Sequence, residues 1–196
     1  MNIKSLSHYA KSIISVIVLA IVLISATVEV DVSRLESRDE LTYIKGAQEP
    51  FTGIALMKYN NDKVFMETPY KEGLISGTEH VYYPDGKLQT SSEYLKGKYQ
   101  GLLKHYYANG NIKSEEMYEH DYKYGESKYW YENGTLEKQG VYRDCKEEGI
   151  WREYYSNGNL KSEGKYSDAD KVGKWNYYNK DGSFEKSESF KISVGF

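Results

Sequence analysis

Residues 101–124 read GLLKHYYANGNIKSEEMYEHDYKY, and this stretch decides the fold. Leu102 to Tyr107 is rich in strand formers. Ala108-Asn109-Gly110 then supplies turn chemistry, and Asn111 to Glu119 makes a second run. Asn followed by Gly between two short strands is a strong local hairpin signal. The unit recurs: Gly53, Gly77, Gly101, Gly125, Gly149 and Gly173 stand 24 residues apart. Nine residues after each comes Gly86, Gly110, Gly134, Gly158 or Gly182, with Asp62 in the first slot. Seventeen residues after each comes Tyr70, Tyr94, Tyr118, Tyr142, Tyr166 or Phe190. A period in this range marks a repeat architecture. A chain built by copying one unit is usually a surface to bind with, not a pocket to react in.

The spacing predicts an all-β fold, an elongated single-layer antiparallel meander of six 24-residue hairpin repeats. The turns Pro84-Asp85-Gly86, Glu132-Asn133-Gly134, Ser156-Asn157-Gly158 and Lys180-Asp181-Gly182 fit a type I turn followed by a left-handed glycine. Such a loop sets Tyr82 opposite Leu88, Tyr106 opposite Ile112, Trp130 opposite Leu136, Tyr154 opposite Leu160 and Tyr178 opposite Phe184. Counting alternation along the second strand puts the Tyr70-to-Phe190 column on that same face. Consecutive repeats would lie roughly 10 Å apart.

The bulk composition agrees. The 196 residues include 21 tyrosines, 17 glycines and 3 prolines, and most tyrosines fall in repeat columns. Leu, Ile, Val and Phe are sparse beyond the N-terminus, so aromatic columns must do the burying. The net charge of −3 gives no electrostatic footprint for nucleic acid. Cys145 stands alone, which excludes an internal disulfide, and it occupies a turn slot held elsewhere by Gly73, Gly97, Asp121 and Ala169. Lys4 and Lys11 are followed by an apolar run from Ile13 to Ile24 and then Ser25-Ala26-Thr27. This pattern marks residues 1–28 as a signal peptide or an uncleaved N-terminal membrane anchor. Residues 29–52 read as a polar lead-in and N-terminal cap, and 53–196 as the six repeats.

Gly101…Tyr106-Tyr107-Ala108-Asn109-Gly110-Asn111-Ile112-Lys113 and Gly149…Tyr154-Tyr155-Ser156-Asn157-Gly158-Asn159-Leu160-Lys161 resemble the MORN-repeat variant proteins of bacteria. Pro50-Phe51-Thr52-Gly53 resembles the way many such proteins enter their first repeat. The resemblance implies an open sheet of successive hairpins, serving protein–protein association or membrane-proximal scaffolding. It also implies an antitoxin-like alternative, in which the protein neutralises a partner toxin by direct binding. That alternative fits poorly with an export-directed N-terminus. The resemblance carries over no catalytic residue.

Candidate chemistry is thin. His80 and His105 differ in parity and should point to opposite faces, and His120 shares no column with either. Glu67, Glu115 and Glu163 share a column but lie roughly 20 Å apart, beyond the roughly 5–10 Å of catalytic carboxylate pairs. No enzyme, metal site or cofactor is predicted. The departure from framework is aromatic: Tyr129, Tyr131, Trp151, Tyr155, Trp175 and Tyr177 sit at even places in the last three repeats. They are expected to line one face, either as an exposed row for recognition or packed on each other. The earlier equivalents are Ala55, Met57, Glu79, Val81, Leu103 and His105. The expectation is therefore a non-catalytic binding protein of the cell envelope, exported or membrane-anchored. Its partner would be a protein or, through the C-terminal edge, itself; membrane contact would run through the N-terminal segment if uncleaved.

Overall fold

Five hairpins form where the Asn-Gly and Asp-Gly turns predict, and the first repeat turns the same way at Asn61-Asp62, with Asp62 at φ 64° in the glycine slot. In the computed structural model, which describes residues 27–191, the chain is one long open sheet plus a small capping hairpin. The strands are β1 (Glu29–Asp31), β2 (Leu35–Arg38), β3 (Leu41–Ile44), β4 (Gly53–Lys58), β5 (Val64–Lys71), β6 (Leu74–Ile75), β7 (Gly77–Tyr82) and β8 (Leu88–Leu95). They continue as β9 (Lys98–Tyr106), β10 (Ile112–Glu119), β11 (Tyr122–Trp130), β12 (Leu136–Arg143), β13 (Lys146–Tyr154), β14 (Leu160–Ser167), β15 (Asp170–Tyr178) and β16 (Phe184–Phe190). From β4 to β16 strand order follows chain order, with the two-residue β6 pairing alongside β5. The segment read as signal or anchor lies outside the described residues except for its last two.

The hairpin turn repeats in detail. Tyr107 C=O accepts from Gly110 N–H and Tyr107 N–H donates to Asn111 C=O, both at 2.8 Å, while Gly110 holds φ 93°. That left-handed value is what glycine supplies without steric cost. All five expected cross-strand pairs form, four aromatic–aliphatic ones from Tyr82–Leu88 to Tyr154–Leu160 and the aromatic pair Tyr178–Phe184.

The face assignment of the tyrosine column needs correction. In β13–β14, Gly149 pairs with Tyr166 and Trp151 with Gly164, but beyond Glu153–Ser162 the next pair is Tyr154–Leu160. Lys161 is an extra, unpaired residue. The same bulge skips Gln89, Lys113, Glu137 and Glu185. One extra residue inverts alternation. The Tyr70-to-Phe190 column therefore lies opposite to the Tyr–Leu pairs, on the face of the even places two and four residues after each leading glycine.

The leading glycines mark a second irregularity, between hairpins. Ser92 pairs with Leu103 and Tyr94 with Tyr99, two steps on β8 against four on β9. The same excess of two recurs between β10 and β11, β12 and β13, and β14 and β15. Gly101 sits in this bulge at φ 109°. The hairpins themselves are joined by two-residue turns with positive φ at both places, such as Asp144 (50°) and Cys145 (65°).

The N-terminal end is covered. β1 adds to β4 in parallel, Val30 opposite Ala55, the one parallel pairing in the sheet among the described residues. The β2–β3 hairpin is tied down by Thr42 N–H to Gly73 C=O at 2.9 Å and Phe51 N–H to Thr42 C=O at 2.8 Å. Val30, Phe51 and Ala55 form a buried cluster flanked by Leu35, Ile44 and Tyr70.

Candidate interaction surfaces

The expected aromatic row divides into two structural groups. Trp151 and Trp175 are only 1% and 2% exposed. Their rings meet the tyrosine column edge-on: Tyr142–Trp151 at 5.1 Å, Trp151–Tyr166 at 6.1 Å and Tyr166–Trp175 at 5.0 Å. Edge-to-face contact of this kind suits the ring quadrupoles. Each indole N–H is satisfied by backbone, Trp151 Nε1 by Val141 C=O at 3.2 Å and Trp175 Nε1 by Lys165 C=O at 3.1 Å. Tyr129 and Tyr177 pack against the same cluster, half-buried. The indoles fit because the residues facing them are Gly140 and Gly164, where a Cβ would stand 2.1 Å from Trp151 or Trp175. These four residues of the row, Tyr129, Trp151, Trp175 and Tyr177, are thus packed together and not displayed.

Tyr131 and Tyr155 do something else. Their hydroxyls donate to the carbonyls of Tyr154 (2.8 Å) and Tyr178 (2.9 Å) in the next hairpin. Tyr59, Tyr83 and Tyr107 do the same to Tyr82, Tyr106 and Trp130, each at 2.7 Å. Five tyrosines therefore link hairpin tips in series.

The middle of this packed face is polar. Glu116 is buried and accepts from Tyr129 OH and Lys123 Nζ. Burial, then the Glu116 hydrogen bond, pushes the Tyr129 hydroxyl well above the usual phenol range. His105 bonds Thr90 at 3.1 Å, and burial lowers its pKa. His80 lies on the other face beside Glu67 at 3.9 Å, as parity predicts, while His120 sits in a turn. Among the described residues no three His, Cys, Asp or Glu side chains converge to hold a metal ion.

The opposite face is open. Its charges are paired across strands, Lys104–Glu115 at 2.8 Å and Arg152–Glu163 at 3.4 Å. In the last three repeats two shallow grooves run together at Ile150 and Arg152. Their apolar residues are Val141, Ile150 and Val172, the first two 40% and 51% exposed. Lys128, Arg152, Lys165 and Lys174 outnumber Glu126 and Glu163 along them; Lys128 pairs with Glu126 at 3.5 Å and Arg152 with Glu163, while Lys165 and Lys174 join no ion pair among the described residues. The sequence signal for this surface is weak: an apolar residue immediately after a leading glycine (Ile150) or before the column tyrosine (Val141).

Residues 76–96, 99–120, 123–144 and 147–168 match the protein family described as MORN repeat variant. These four units are MORN repeats. Repeats one and six, outside the matched residues, continue the same sheet in the same register. No curated protein matches the chain. At its far end the MORN sheet stops on β16, whose outer edge pairs with no other strand among the described residues. No helix among the described residues is long and apolar enough to cross a membrane.

Proposed function

We propose that this MORN-repeat protein is a non-catalytic binding module that presents the open face of repeats four to six to an extended protein segment. The observation that carries the reading is the coincidence of exposed Val141 and Ile150 with Lys165 and Lys174 along the joined grooves, where cations outnumber the carboxylates Glu126 and Glu163. Apolar residues interleaved with cations favour a partner strand that alternates aliphatic and acidic side chains. The indoles behind the groove hold its floor rigid, which limits the ordering cost of binding. Lys4, Lys11 and the apolar run that follows support placement of the protein in the cell envelope, exported or anchored.

Selection from a displayed random-peptide library on the full chain tests this reading, with Ile150→Glu/Lys174→Glu as counter-target. Acidic–aliphatic sequences should enrich on the native chain and lose at least ten-fold on the variant, provided both melt alike. Equal enrichment on both would place binding elsewhere. Mass measurement of the product in cell fractions tests the location: an intact chain in the soluble cytoplasm would overturn it.

A further inference from the structure

The open end of the sheet carries a second, independent surface. β16 pairs with β15 through Gly173–Phe190, Trp175–Glu188 and Tyr177–Lys186. Counted along the antiparallel alternation from the Asn179 N–H to Ser183 C=O bond, Lys186, Glu188 and Phe190 spend their backbone groups on β15. Ser187 and Ser189 turn theirs to the free edge. We propose that this edge pairs antiparallel with β16 of a second copy of the chain, about a two-fold axis through Ser187.

The side chains select that register. A two-fold at Ser187 sets Lys186 opposite Glu188 of the other copy, twice, and extends the Trp175–Tyr177–Phe190 packing across the junction. Sliding by one step of the axis toward Lys186 brings lysine against lysine. Sliding toward Glu188 brings glutamate against glutamate. Charges on an edge strand discourage indiscriminate pairing, and of these three registers only the one at Ser187 sets opposite charges together with no like pair on the axis. Lys186 and Glu188 already contact each other within the chain at 2.8 Å, so both stand on one face, ready to exchange partners. The other end cannot take a head-to-tail neighbour on β4, because Glu29–Asp31 occupies that edge. Pairing by β16 alone is isologous and closes at two copies instead of growing a fibre.

Engineered cysteines in the full chain, with Cys145→Ser to remove the native thiol, read the register directly. Directly opposed Ser187 residues would have Cα atoms about 5.5 Å apart, within the disulfide range. Ser189 residues would lie roughly 13 Å apart. Ser187→Cys should therefore give a covalent dimer on mild oxidation and Ser189→Cys should not. A companion variant, Ser187→Pro, removes an N–H that faces the edge and not β15, a site where a sheet tolerates proline. It should keep the native melting temperature while sedimentation shifts from dimer to monomer. Equal cross-linking at both cysteines, or a native chain that sediments as a monomer at tens of micromolar, would overturn the proposal.

Discussion

The tryptophans depend on what faces them. Going along the packed face, the residue fifteen places after a leading glycine meets the one two places after the next: Ser92 with Leu103, Glu116 with Ser127, and, at the indoles, Gly140 with Trp151 and Gly164 with Trp175. Small partners large, as close packing requires. Gly164→Ala should therefore destabilise the sheet by about 1–3 kcal/mol, because its methyl would overlap the Trp175 ring. Adding Trp175→Leu, which recreates the Ser92–Leu103 type of contact, should recover most of the loss that Gly164→Ala adds on its own; chemical denaturation of the four-member cycle measures this coupling. This size complementarity was legible in the sequence as a glycine eleven residues before each of these tryptophans. Alternation alone did not reveal it, since it reports which face a ring takes and not whether that face is filled.

At the level of the hairpin, the repeat period, the turn type and the cross-strand pairs were all readable, because Asn-Gly and Asp-Gly fix local geometry. The bulge at Gln89, Lys113, Glu137, Lys161 and Glu185 was not. Nothing in those side chains distinguishes an extra residue from a paired one, so the tyrosine column was assigned to the wrong face. The lead-in gave no strand signal for β1 either, as three residues pairing in parallel are too few to show a pattern. The serial tyrosine link joins one hairpin to the next beyond the backbone ladder. Tyr131→Phe deletes the donor to Tyr154 C=O while the carbonyl keeps access to water, and should cost about 1 kcal/mol by thermal or chemical unfolding. No change would mean that the link is incidental to stability.

For the molecule as a whole, partly buried phenols make stability sensitive to alkali. The Tyr82 and Tyr118 hydroxyls are pushed up to about 12, by burial first and then by Glu67 and Glu116 respectively, against an ordinary value of 10.0. The folded chain keeps protons that the unfolded chain releases. This contribution is fully present below pH 10 and is lost as pH rises through about 12. Phenolate absorbance and far-ultraviolet dichroism should thus change together in that window; phenolates of these residues forming near pH 10 with the sheet intact would contradict it. Among the described residues the two ends of the sheet are unlike, one roofed by β1 and the β2–β3 hairpin, the other with β16 unpaired on its outer side. Because strand order follows chain order, the polypeptide enters at one end of the stack and leaves at the other. Tension between those points acts along the inter-strand bonds and loads one ladder at a time, never many in shear. A stretched molecule would give way hairpin by hairpin, each repeat releasing up to roughly 80 Å of slack, and would re-zip from whatever repeats remained.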